Sequence, residues 1–303
     1  MSGRLAVRVP VSTLWTGPDA PREVDAAAVA PQPDVPAWTA AMDATTRLGL
    51  HGRTLSQLLL GEPVEVLAER GGWAEVVAPW QPSSQDPRGY PGWLPRAHLD
   101  EPADTGDGTA VVTHPSTTLN VDGGPEQGVS WGTVLPLLEV NGDGVRVALP
   151  GGRTGWLPSA TVQVRRAGAP VTFDQSALGT AAAQFLGLHY LWGGTCGWGL
   201  DCSGLVHLGF RVLGVVVPRD AHDQQAAAMP VATGDVRRGD LYFFAHPGEG
   251  VHHVGLATEP GEMLHATEGA DRVEAGPLDA ERRATLCAAG RFPPARRPRR
   301  AAP

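Results

Sequence analysis

Residues 190–206 read YLWGGTCGWGLDCSGLV. A Gly- and Trp-rich loop runs into Asp201, a good helix N-cap, and Cys202 opens an amphipathic segment with Leu205, Val206, Leu208 and Val212 on its apolar face. Gly214 is a natural stop for that helix. At a helix start, free amide groups and the positive end of the dipole favour the thiolate, the nucleophilic form of cysteine. The plainer reading is a small buried hydrophobe, which most free cysteines are. Two strand-like runs argue for chemistry: VHHVGLAT (251–258), which carries His253, and EMLHAT (262–267), which carries His265. A cysteine nucleophile needs a base in hydrogen-bond reach, and the base needs a third group to fix its tautomer. Neighbouring strands would set His253 and His265 side by side, and alternation would turn His252 to the opposite face.

Working outward, a helix is expected from Asp174, with Ala177, Leu178, Ala181, Ala182, Phe185 and Leu186 at three- and four-residue spacing. After Gly239, LYFFA (241–245) and the two histidine runs have strand character, so the C-terminal part is α+β. The N-terminal part holds an internal repeat. Gly61 to Leu67 leads to Gly92-Trp93-Leu94-Pro95, and the same order returns from Gly132 to Gly155-Trp156-Leu157-Pro158. Short β-patterned runs broken by Gly and Pro read as a small barrel made twice. Residues 36–60 are an insertion in the first copy, with Trp38, Met42, Leu48, Leu55, Leu58 and Leu59 spaced as in a helix. Linkers at 105–108 and 165–169 give expected units at 1–104, 109–165 and 170–290, followed by an Arg/Pro-rich tail, 291–303, expected to be disordered.

Composition bounds the function. The 303 residues carry 24 basic side chains, all arginine, and 32 acidic ones, for a net charge of −8. An acidic chain without a basic stripe argues against nucleic-acid binding. With 42% hydrophobic residues the chain can build sizeable cores, and its 39 glycines show no collagen-like period. Its three cysteines, Cys196, Cys202 and Cys287, are an odd number and lack zinc-site spacing. No apolar run has signal-peptide or membrane-span length, so the expectation is a soluble cytoplasmic protein, without metal or organic cofactor.

Tyr190, Trp192, Gly193 and Gly194, then Asp201 to Val206, resemble the active-site segment of the NlpC/P60 cysteine peptidases. Pro218, Arg219, Asp220 and Gln224 continue the pattern, as do Gly239 to Leu241, His253 to Gly255, and His265 with Ala266. The likeness covers residues 175–275 and implies a papain-like catalytic domain. It implies Cys202 as nucleophile, His253 as general base, His265 as the orienting residue, and the Tyr190 hydroxyl beside the Cys202 amide as oxyanion donors. Two barrels ahead of such a domain resemble the bacterial SH3-like arrangement of γ-D-glutamyl-L-diamino-acid dipeptidyl-peptidases of murein recycling. Those enzymes cut after L-Ala-γ-D-Glu and require a free N-terminal L-alanine, so a murein tripeptide or tetrapeptide is the implied substrate.

By the same resemblance, Asp201 and Ser203 stand at the substrate's end, and Glu62 and Tyr90 of the first barrel complete an amine-binding pocket. The second copy has Thr133 and Arg153 at those places. Taken without the resemblance, Glu62 reads as an exposed strand charge and Tyr90 as a barrel-rim aromatic. Trp192 and Trp198 either line a peptide groove or only pack, Arg219 meets a substrate carboxylate or an internal acid, and Cys196 is a bystander or a redox partner of Cys202. The rival functions are an exported endopeptidase acting on intact wall and an inactive wall-binding adaptor.

Overall fold

The computed structural model of the chain describes residues 3–169 and 173–292. The first repeat comprises β1 (Arg4–Val7), β2 (Val11–Trp15), β3 (Thr54–Leu59), β4 (Pro63–Arg70), β5 (Trp73–Ala78), β6 (Tyr90–Pro95) and β7 (Leu99–Asp100). The second comprises β8 (Gly108–Val112), β9 (Ser116–Val121), β10 (Glu126–Ser130), β11 (Val134–Asn141), β12 (Gly144–Leu149), β13 (Arg153–Pro158) and β14 (Val162–Arg166). Strand order is the same in both, β3-β2-β6-β5-β4-β1-β7 and β10-β9-β13-β12-β11-β8-β14. Neither order closes on itself, so each repeat is a curled antiparallel sheet rather than a closed barrel. β4 and β11 share one alternation of buried and exposed residues, as do β5 and β12, because each lays one face on its own core.

The copies differ in two places, and both reach toward the C-terminal domain. Residues 79–89 join β5 to β6 where only 150–152 join β12 to β13. Between β2 and β3 the first copy inserts α1 (Ala26–Val29), α2 (Val35–Ala41) and α3 (Ala44–Leu48). Asp34 and Asp43 cap α2 and α3 by accepting from Ala37 N and Thr46 N. Trp38 anchors the insertion by donating to Asp25 Oδ1 at 2.9 Å and packing on Trp15. Leu55, Leu58 and Leu59, expected in a helix, belong to β3 instead. The left-handed turn at Gly52 ends the helical stretch, and the chain then pairs with β2 from Thr54 onward.

The C-terminal domain holds α4 (Ala177–Ala183), the two-stranded ribbon β15 (Thr195–Cys196) and β16 (Gly199–Leu200), α5 (Cys202–Val212) and α6 (Ala221–Ala227). A six-stranded antiparallel sheet follows from β17 (Met229–Val231), β18 (Leu241–Phe244), β19 (His253–Glu259), β20 (Glu262–Thr267), β21 (Arg272–Pro277) and β22 (Leu286–Arg291). α7 (Ala280–Thr285) lies between the last two, and the order is β17-β22-β18-β19-β20-β21. Every residue of α5 is buried, because the sheet covers one side and the two N-terminal repeats cover the other. The second repeat packs Trp131 on Phe185 and sets Gly132 against Leu208 of α5, while Ser130 Oγ accepts from Gly197 N at 2.8 Å. The terminal segment 293–303, most of the tail expected to be disordered, lies outside the described residues.

Candidate active site

Cys202 is the first residue of α5. Its N-cap Asp201 accepts from Gly204 N at 2.6 Å, and Gly214 in the left-handed region closes the far end of the helix. The amide of Cys202 belongs to the first turn, where N–H groups have no intrahelical partner. A cleft of about 580 Å³ opens above the thiol, and Tyr90, Tyr190, Asp201, Ser203, Asp220 and His253 are among its walls. The first repeat therefore contributes directly to the cleft, through Thr54, Leu55 and Tyr90.

β19 and β20 bring the two histidines together, with His253 Nε2 at 2.8 Å from His265 Nδ1. Gly255 makes room for this, since a β-carbon there would stand 3.4 Å from that of His265 and 2.7 Å from the Met263 sulfur. If His253 keeps Nδ1 free as a base, its Nε2–H donates to His265 Nδ1. His265 Nε2–H then points toward Glu274, whose Oε1 is 3.7 Å away. His252 does not follow the expected alternation. It precedes β19, is exposed, stacks on His246 at 4.7 Å and stands on the rim of the same cleft.

Electrostatics favour an uncharged resting pair. Burial, with the Asp201 carboxylate behind it, pushes the Cys202 thiol up to about 12, against the Val254 and Ser203 amides and Arg219. Burial, then the nearby Arg282 cation, holds His253 well below the usual imidazole range, and the same causes bring His265 down to about 4. Desolvation thus outweighs the helix-start effect expected for the thiolate. The arrangement suits a thiol whose proton leaves for His253 as attack occurs. Tyr190 is buried, and burial with the neighbouring Cys202 and Asp201 raises its hydroxyl well above the usual value, so it stays a donor.

Arg219 has an internal partner. Fully buried, it grips Asp201 with Nη1 and Nη2 at 3.0 and 2.6 Å, reaches Ser203 Oγ at 2.9 Å, and donates from Nε to Ser56 Oγ of β3. Asp201 and Ser203 do line the cleft, but their polar atoms are engaged in this cage and in the helix cap. Asp220 differs. It sits at the N-cap position of α6 without capping it, and instead accepts from the Tyr90 hydroxyl at 2.9 Å. Burial raises its carboxyl above the ordinary value, with Arg219 opposing.

Glu62 corrects the expectation drawn for it. It is 1% exposed and does not line the cleft. Its carboxylate accepts from Leu59 N at 2.9 Å and Gln81 Nε2 at 3.3 Å, and is ion-paired with Arg211 of α5. Arg211 in turn donates to His207 Nε2 at 2.8 Å. Glu62 is therefore a buried tie between the first repeat and α5, and the carboxylate that stands beside Tyr90 at the cleft is Asp220. The sequence carried one signal for Asp220, its place directly after Arg219.

The remaining candidates separate cleanly. Trp192 lines the cleft and stacks on His51 of the insertion at 3.7 Å. Trp198 lies instead against Gly128 of the second repeat, in a separate groove. Thr133 is buried, and Arg153 donates to Arg8 O at 3.1 Å, so the second repeat brings neither residue to the cleft. Cys196 is fully buried in the core and unpaired. Asp220, His222 and Asp223 bring three potential ligand atoms within 4.8 Å of one another, but Tyr90 and Ser84 already hydrogen-bond to the two carboxylates.

Comparison with known proteins gives the family. The NlpC/P60 family profile matches residues 187–286, and the YKFC SH3b2 domain profile matches residues 112–164. A γ-D-glutamyl-L-lysine dipeptidyl-peptidase of Bacillus subtilis is 37% identical over 271 residues, covering 87% of this chain and 90% of that protein. A protein of the same name from Bacillus cereus is 34% identical over 292 residues, covering 90% and 86%. The crystal structure of an NlpC/P60 family protein from Bacillus cereus superposes with a TM-score of 0.91 at 31% identity, over 96% of this chain and all of that one. With SH3b-like domains ahead of a cysteine peptidase domain, the chain belongs to the NlpC/P60 family.

Proposed function

We propose that the protein hydrolyses the γ-D-glutamyl bond to a diamino acid in murein tripeptides or tetrapeptides, releasing L-Ala-γ-D-Glu from substrates with a free N-terminal amine. The observation that carries this reading is Asp220, a carboxylate that forgoes its helix cap and faces the cleft with Tyr90 of the first repeat. An ammonium group supplies the opposite charge there, and the repeat walls off the space behind it. In intact wall that nitrogen is acylated and uncharged, so the pocket favours released peptides, as expected of a recycling enzyme in the cytoplasm. Among the described residues no helix is long and apolar enough to cross a membrane.

In the first step Cys202 Sγ attacks the γ-carbonyl carbon while His253 takes the thiol proton. The Cys202 amide and the Tyr190 hydroxyl receive the developing oxyanion. Collapse breaks the C–N bond, His253 returns the proton to the leaving amine, and a thioester remains. Water, deprotonated by His253, then attacks the thioester carbon; collapse breaks the C–S bond, His253 returns the proton to the sulfur, and L-Ala-γ-D-Glu leaves with a free γ-carboxyl group. His265 positions His253 throughout. The peptidase unit is taken as 170–290 and the two repeats as 1–104 and 109–165.

The test offers L-Ala-γ-D-Glu-diaminopimelate, its L-lysine counterpart and the N-acetylated form of each, with Cys202→Ala as control. Cleavage confined to the free amines is expected. Equal cleavage of the acetylated peptides would favour an endopeptidase on intact wall, and activity surviving in Cys202→Ala would remove the nucleophile.

A further inference from the structure

Arg282 is the unaccounted cation of the cleft. It lies on α7, and its guanidinium is held in place without an acid. Nη2 donates to Thr267 Oγ1 at 3.1 Å and the group sits 5.5 Å over the Phe244 ring, while no ion pair forms to it among the described residues. The contrast within the cleft is plain: Arg219, the other arginine among its walls, is paired with the Asp201 carboxylate. Arg282 is half-buried, so its charge is neither freely hydrated nor internally neutralised.

Its place in the cleft fixes what it can meet. The Phe244 ring that it covers also lies 5.6 Å from the His253 ring, and Arg282 and Thr267 both line the cleft. With the amine end of the substrate at Asp220, the leaving amino acid extends the other way, past the imidazole that must protonate its nitrogen. That is the Arg282 side. We infer that Arg282 binds a carboxylate of the departing third residue, which makes it a specificity-determining residue for the leaving group. This rests on the dipeptidyl-peptidase reading. A carboxylate reaches that point from two sources: the main-chain carboxylate of a tripeptide, or the side-chain carboxylate of diaminopimelate. A planar guanidinium held on one side by a hydroxyl keeps its remaining N–H groups for such a group.

The experiment compares kcat/KM for three free-amine peptides, L-Ala-γ-D-Glu-L-Lys, its C-terminal carboxamide and L-Ala-γ-D-Glu-meso-diaminopimelate, in the full-length protein and in Arg282→Gln and Arg282→Lys. Because Arg282 also acts electrostatically on both histidines, the readout is the ratio between substrates, which a general effect on the base cancels. If the main-chain carboxylate is the ligand, wild type prefers the acid over the carboxamide by about tenfold to a hundredfold, and Arg282→Gln abolishes that preference. If the side-chain carboxylate is the ligand, the diaminopimelate-to-lysine ratio behaves that way instead. Arg282→Lys restores part of the lost ratio in either case. Neither ratio present in wild type, or both unchanged in Arg282→Gln, overturns the inference, including the case where Arg282 meets the D-glutamyl carboxylate common to all three. Should wild type cleave none of these peptides, it is the proposed function that fails.

Discussion

Glu62→Ala separates a structural tie from a binding residue. Among the described residues the substitution removes the only carboxylate paired with Arg211, a side chain 6% exposed, and leaves the guanidinium beside His207 Nε2 and the face of Trp80. Removing one partner of a buried ion pair costs about 3–5 kcal/mol, because the other charge stays desolvated. The lost bonds to Leu59 N and Gln81 fall within that figure. At roughly 2–4 °C per kcal/mol for a chain of this size class, melting is expected to drop by on the order of 10 °C. Scanning calorimetry of purified Glu62→Ala measures it directly. Steady-state kinetics at a temperature well below the transition should give KM for the free-amine peptide close to wild type. The double variant Glu62→Leu/Arg211→Met, which exchanges the pair for apolar groups of similar size, should recover much of the loss. An unchanged melting temperature with a raised KM would refute this account and return Glu62 to the substrate.

Three further outcomes follow from the same geometry. Asp220→Asn keeps the hydrogen bond from Tyr90 but removes the charge, so kcat/KM for free-amine peptides should fall about tenfold to a hundredfold, chiefly through a raised KM; an unchanged kcat/KM would exclude an amine site. His265→Ala frees the His253 ring, and kcat should fall by on the order of 10²–10⁴ with little change in KM, whereas a loss of melting temperature alone would make His265 structural. His98 and His265 are buried and neutral, both brought down from 6.5 to about 4. The unfolded chain therefore takes up protons first as the solution is acidified. Each contributes stability that is complete above about pH 6.5 and is lost as pH falls toward 4, about 3 kcal/mol apiece, so the melting temperature should drop through that window and a flat profile would contradict the burial argument.

The core of the site was legible because its signals are local. Asp201 before Cys202 is a helix start in any context, and Gly214 ends that helix wherever it packs. His253 and His265 sit on strands whose pairing follows from the turn between them. Charges were harder to read, because their partners are distant in sequence. Nothing near Glu62 points to Arg211, 149 positions away, and nothing near Ser56 points to Arg219. The same limit applied to Asp220, which belongs to the family pattern but whose bond to Tyr90, 130 positions away, shows only in the fold, where α6 starts without a side-chain cap. Leu55, Leu58 and Leu59 have helical spacing, and only the pairing of β3 with β2 makes them strand. The environment of the thiol was also out of reach of the sequence: burial, which pushes Cys202 up to about 12, opposes the dipole effect expected at a helix start.

The cage around Arg219 ties the first repeat to the head of the helix that carries Cys202, the proposed nucleophile. Ser56 of β3 and Asp201 at the head of α5 share one guanidinium, while Tyr90 of the same repeat reaches, through Asp220, the end of the cleft proposed for the amine. On the proposed binding mode, an alanine residue docked against Tyr90 would bear on the sheet that braces Cys202, away from the bond to be cut. Energy gained from a remote, unreacting part of a substrate can then tighten alignment at the reacting centre, and it surfaces in turnover rather than in affinity alone. A γ-D-glutamyl substrate shortened by its leading alanine would lose speed as well as grip.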